Sequence, residues 1–131
     1  MAPPSTGADP MKEPGPDHPI AVTPNPHRIR VVLGGVIVAE TTRALTLREA
    51  GLPPVQYIPR EDAAWDLFEK TSHTTHCPYK GEASYYALTA GGVERANAVW
   101  SYESPFQAVA AIKDHLAFYP NKVDAIEEFT E

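Results

Sequence analysis

Short β-branched and aromatic runs, cut at close intervals by residues that turn a chain, limit the fold more than anything else in this sequence. Turn signals fall at Gly34-Gly35, Pro53-Pro54, Pro59, Pro78 to Gly81, and Gly91-Gly92. Glycine reaches the positive φ of tight hairpin turns, and proline holds φ at about −65° and withholds a backbone donor. Ile29–Leu33, two glycines and Val36–Glu40 therefore read as a hairpin, with Ile29, Val31 and Leu33 on one face. Ala44–Leu47 and Val55–Ile58 read as strands on either side of an Arg48–Pro54 turn region. Pro59-Arg60-Glu61-Asp62 breaks the second of them. Ala63–Lys70 reads as a turn of helix followed by strand. Thr71–Cys77 and Glu82–Thr89 form a central hairpin around Pro78–Gly81, and Val93–Tyr102 carries the next strand.

A different period appears near the end of the chain. Ser104-Pro105-Phe106-Gln107 resembles a capping box, and Val109, Ile112, Leu116 and Tyr119 recur at spacings of three, four and three. That pattern predicts an amphipathic helix of about 22 Å, ended by Pro120 and Asn121. A short strand, Val123–Glu127, follows. The predicted fold is mainly β: compact antiparallel sheets of seven or eight short strands with one C-terminal helix packed on them.

Residues 1–26 hold eight of the fourteen prolines. Residues 1–16 are expected to form a disordered Pro-rich tail, and 17–131 a single domain. From His18 an extended arm is expected, with Ile20 and Val22 alternating like an edge strand. Pro24 and Pro26 keep such an arm out of a sheet interior.

Charge and cysteine content remove several functions. A net charge of −6 argues against nucleic acid as a partner, because phosphate contact needs concentrated Lys and Arg. One cysteine allows no intramolecular disulfide and suits a reducing cytoplasm. No basic leader precedes an apolar run at the start, and no stretch approaches eighteen apolar residues, so no membrane association is expected. The phosphate-cradling GxxxxGK[ST] and GxGxxG loops are missing from the sequence, and so is the βαβ order that accompanies them.

Chemistry-bearing residues concentrate in His73–Tyr86. Pro78 suits the first position of a type I turn, which puts the Cα atoms of Cys77 and Lys80 within about 7 Å. An ammonium at that range favours a thiolate, and His73 and His76 lie close in sequence. A lone cysteine is more often a small buried hydrophobe, and a thiol nucleophile also needs an oriented base. His73-x-x-His76-Cys77 offers metal-ligand types, but strand alternation points His73 away from His76 and His76 away from Cys77. No metal or cofactor is therefore expected. Tyr79, Tyr85, Tyr86, Trp100 and Tyr102 sit on neighbouring strands and turns. Tyr86 and Tyr102 are expected to face a common cavity, with Trp100 on the face of Tyr102. Core packing accounts for such residues; a pocket wall with Lys80 and Arg60 as counter-charges is the functional alternative.

Four separated blocks resemble a bacterial family known as a domain of unknown function, number four-two-seven, which carries a nominal nucleotidyltransferase label. They are Val55-Gln-Tyr-Ile-Pro-Arg-Glu-Asp62; Thr75-His-Cys-Pro-Tyr-Lys-Gly81 with Ala83 and Tyr85-Tyr86; Ala98-Val-Trp-Ser-Tyr102; and Ala117-Phe-Tyr-Pro120 with Val123-Asp124. The chain is most similar to single-domain alphaproteobacterial members, which often carry tyrosine where His76 stands, so the resemblance gives His76 no essential role. It implies a β-tent-like topology, shared with methionine-R-sulfoxide reductases and zinc-binding exchange-factor-like chaperones. This chain has no CxxC pair, so the zinc of that group is expected to be absent.

The leading expectation is a cytoplasmic module, monomer or homodimer, that binds a small polar or anionic ligand beside the Cys77–Gly81 turn. Its candidate contacts are Arg60, His73, Thr75, Cys77, Tyr79, Lys80, Gly81, Tyr86, Trp100 and Tyr102. A thiol-dependent enzyme using Cys77 is the alternative, and a nucleotidyltransferase the third.

Overall fold

A computed structural model describes residues 11–130. Ten strands form three antiparallel sheets. The first sheet joins β1 (Ile20–Asn25), β4 (Ala44–Glu49) and β5 (Val55–Tyr57) in the order β1-β4-β5. The second joins β2 (Arg28–Leu33), β3 (Val36–Thr41) and β10 (Ala125–Phe129) in the order β10-β2-β3. The third runs β6-β7-β8-β9, from Phe68–Cys77, Gly81–Ala90, Val93–Ser101 and Ala117–Phe118. Ten strands replace the seven or eight expected, because the N-terminal arm and the segment around Phe118 both pair.

The β2-β3 hairpin turns at Gly34-Gly35, with φ of 61° and 76°, and buries Ile29, Val31 and Leu33 together. β1 is a sheet edge, which is where Pro24 can sit without breaking a ladder. The expectation of a tail without structure falls on residues 1–10, outside the described residues, and on 11–16. In that second part the Lys12 amide donates to the Pro78 carbonyl at 2.8 Å, and Gly15 bridges His18.

The long C-terminal helix is not formed. Gln107–Ile112 makes two tight 3-10 turns, broken at Val109 (φ −126°, ψ 30°), and Asp114 reverses the chain at φ 62°. Val109 and Ile112 are still both buried, together in one core cluster. Beyond them, sheet edges take the backbone. Leu116 and Ile58 exchange both hydrogen bonds at 2.8 Å, and the Tyr119 amide donates to Ala98. A residue bonded outward in this way cannot also close an i to i−4 helical ring. The apolar spacing was real, but it describes turns and a strand.

Two core clusters result. One gathers Ile29, Val31, Leu33, Leu88, Val99 and Phe118; the other Leu47, Tyr57, Tyr85, Tyr102 and Ile112. β7 serves both, because the pairing register shifts on each side of it: between Lys70 and Thr74 on β6, and opposite Tyr86–Leu88 on β8. Such a shift bends the sheet and resets which residues face inward. Adjacent Tyr85 and Tyr86 point to opposite faces of β7, and both are buried, one in each core. Thr71 in the β6 irregularity donates to Asn97 Oδ1 in the β8 irregularity at 2.7 Å. At the far end of the sheets the two Gly-Gly turns meet back to back, so that a Cβ on Gly91 would stand 1.9 Å from the Gly34 carbonyl oxygen.

Candidate functional site

The Cys77–Gly81 turn forms as the sequence predicts. The Lys80 amide donates to the Cys77 carbonyl at 3.2 Å, and Gly81 takes φ 111° beside the Ser104 carbonyl. Its side chains are engaged elsewhere, however. The Lys80 ammonium is buried in an ion pair with Glu49, whose other oxygen accepts from His18 Nε2 at 2.7 Å. Burial pushes the Glu49 carboxyl upward, but the bonds and charges of Lys80 and His18 prevail and hold it below its ordinary value. Tyr79 stacks flat on the His18 ring at 3.9 Å. This knot straps the N-terminal arm to the turn. Half-buried Cys77 packs against the second core.

Arg60 and Tyr86 do come together. Arg60 Nη2 donates to the Tyr86 hydroxyl at 3.3 Å and to Ser101 Oγ at 3.4 Å, and its guanidinium lies over Trp65 at 4.6 Å. The Tyr86 hydroxyl in turn donates to Glu103 at 2.5 Å, while Lys70 and Ser84 donate to the other Glu103 oxygen at 2.9 and 3.3 Å. Burial followed by the Glu103 bond pushes the Tyr86 phenol up to about 12. Burial opposes the Glu103 charge, but the donors outweigh it and bring that carboxyl down to about 2. A polar recess of about 390 Å³ adjoins Glu103, lined by His76, Glu82, Ser84, Ser104 and Phe106. None of the candidate contacts read from the sequence lines it.

The Glu103 network predicts an acid limb. A carboxyl held at about 2 in the folded chain, against an ordinary 4.5, binds protons less readily folded than unfolded. Its stabilisation is complete above pH 4.5 and is lost as the pH falls toward 2. Glu103→Gln should therefore flatten the decline of the urea midpoint between pH 4.5 and 2; an unchanged decline would assign it to other carboxylates.

Tyr86 and Tyr102 lie in different cores instead of facing one cavity. Burial pushes the Tyr102 phenol strongly upward. Trp100 packs with the second core, donating from Nε1 to the Tyr57 hydroxyl at 3.2 Å and lying 4.5 Å from the Tyr119 ring. Tyr119 and Tyr85 share a hydrogen bond of 3.1 Å, and Thr75 bonds Tyr85 at 3.0 Å. His73 meets the edge of Tyr85, whereas His76 lies toward Phe106, so the two histidines serve different surroundings. Among the described residues no three His, Cys, Asp or Glu side chains are placed to hold a metal ion.

A second, larger concavity has Trp100 and Tyr119 on its wall. It is a groove of about 660 Å³ lined by Val31, Leu52, Pro53, Pro54, Val55, Gln56, Ile58, Trp100, Phe118, Tyr119, Pro120 and Ile126. All three sheets contribute a wall, and no charged side chain does. Trp100 is the one candidate contact from the sequence that lines it. Gln56, Phe118 and Tyr119 belong to the blocks that carry the family resemblance, but their sequence pattern gave no sign that they converge.

Three antiparallel sheets enclosing two cores, with an apolar groove where the sheets converge, define a small, mainly β domain. The chain belongs to the family described as a domain of unknown function, DUF427 (NTP_transf_9), whose sequence profile matches residues 21–128. No curated protein matches the chain. Among the described residues no helix is long and apolar enough to cross a membrane.

Proposed function

We propose that this domain binds a small, largely apolar molecule in the groove between the three sheets, and that it does so in the cytoplasm, where its single cysteine stays reduced. The observation that carries the reading is the groove itself: about 660 Å³, walled by aliphatic, prolyl and aromatic side chains from every sheet. Ligand sites commonly span 300–1,000 Å³ and are mostly apolar with a few placed polar groups. The polar or anionic ligand expected beside Cys77–Gly81 is less well supported, because its two counter-charges are already paired, Lys80 with Glu49 and Arg60 with Glu103. A Cys77 enzyme lacks its expected activating ammonium for the same reason. The nucleotidyltransferase label of the family fits poorly with a groove that offers a triphosphate no cation.

Ile126 stands on the groove wall and is 37% exposed, so it can be changed with little effect on folding. Neutral phenylnaphthylamine should brighten and shift to the blue on binding the wild-type protein. Ile126→Glu, which would bury a carboxylate against the probe, should weaken that binding by about tenfold or more. Its urea midpoint should scarcely move. Equal affinity in the variant, or no brightening with the wild type, overturns the proposal.

A further inference from the structure

Gln56 lines that groove, and its side-chain amide has an unfilled role. Gln56 Oε1 accepts from Asn25 Nδ2 at 3.0 Å and from the Thr46 hydroxyl at 2.9 Å. The orientation of both amides follows from a neighbour: the His27 amide donates to Asn25 Oδ1 at 2.9 Å, so the Asn25 atom facing Gln56 is its nitrogen, and the Gln56 atom receiving it is oxygen. Gln56 Nε2 is then left with two N–H groups that meet no acceptor among the described residues. It is not one of the sealed, unsatisfied atoms of the structure, so water or a ligand can reach it. The other polar side chains of the lining are engaged, Trp100 Nε1 with Tyr57 and the Tyr119 hydroxyl with Tyr85.

Resting on the groove reading above, we infer that the ligand is an uncharged, flat or ring-containing molecule that carries a carbonyl-type acceptor, received by the Gln56 amide. Trp100, Phe118 and Tyr119 supply faces for a flat ring. The absence of any ionised lining residue selects against a net charge, since a desolvated ion would find no partner there. A donor that stands on an apolar wall and already has its oxygen anchored is held in place before binding, which lowers the cost of using it.

Two dyes separate this inference from the groove reading: the neutral naphthyl ketone Prodan, and its parent dimethylaminonaphthalene, which lacks the ketone. The wild-type protein should bind the ketone about three- to tenfold more tightly, the yield of one added hydrogen bond. Bound Prodan should emit to the red of its emission in Gln56→Met, because a donor to its carbonyl lowers the excited state. Gln56→Glu keeps the oxygen that Asn25 and Thr46 need and removes the donor; Gln56→Met removes both. Each should erase the preference. If the parent binds but the wild type shows no preference, or the preference survives in both variants, the inference fails and the groove stands. If neither dye binds, the groove reading fails and takes the inference with it.

Discussion

Gly91→Ala is expected to destabilise the domain by about 3 kcal/mol or more, read as a drop in the urea midpoint at unchanged slope. Two costs combine. Gly91 sits at φ 58°, where a Cβ meets the carbonyl that follows it. The same Cβ would stand 1.9 Å from the Gly34 oxygen and 2.7 Å from its carbonyl carbon, both backbone atoms that cannot rotate aside. The β2-β3 and β7-β8 hairpin tips would have to part, pulling on Leu33 and Ala90 in the first core. Gly92 supplies the control. It has φ 78° but nothing within 4 Å of its added Cβ, so Gly92→Ala should cost only the backbone term, about 1 kcal/mol. Equal costs at the two positions would show that the tips yield freely.

Lys80→Ala is expected to cost about 2–4 kcal/mol, because it leaves Glu49 buried without its ammonium. His18 remains as a partner and sets the lower end of that range. The pH dependence supplies the sign. In the wild type Glu49 titrates below its ordinary value, so its stabilisation is present at neutral pH and declines as the pH falls below about 4.5. Without Lys80, burial dominates and the folded carboxyl rises; the variant should then regain stability as the pH falls through that raised value. Pairing Lys80→Met with Glu49→Leu should recover most of the loss, since it removes both charges together. A small cost for Lys80→Ala, with an unaltered acid limb, would mean that water reaches the pair.

The ion pair also shows how far local reasoning reaches. Lys80 is fourth in the Cys77 turn, and its proximity to the thiol was sound geometry. What the turn could not announce is Glu49, thirty-one positions earlier, which lies at the end of β4 and enters from another sheet. A long, flexible side chain goes to the strongest partner within reach, and tertiary packing decides who that is.

Where backbone and side-chain demands were local, the residues alone determined the outcome. The β2-β3 hairpin formed at Gly34-Gly35, the turn formed at Pro78–Gly81, and Pro24 kept β1 at an edge. Each depends on φ limits or on alternation within a few residues. Tertiary structure decided three other things. It drew 107–119 out of a helix, since Ile58 and Ala98 offered its backbone hydrogen bonds from distant strands. It covered both faces of β7, so that neighbours Tyr85 and Tyr86, which alternation points to opposite sides, each entered a separate core. And it assembled the groove by bringing Val31, Val55 and Ile126, which read by themselves as ordinary strand residues, together with Trp100 and with Phe118, which reads as part of a helix. Alternation tells which face of a strand is apolar, but it carries no information about which other sheet that face will meet, or whether the two will close completely. The groove is the space left where three sheets converge without filling it.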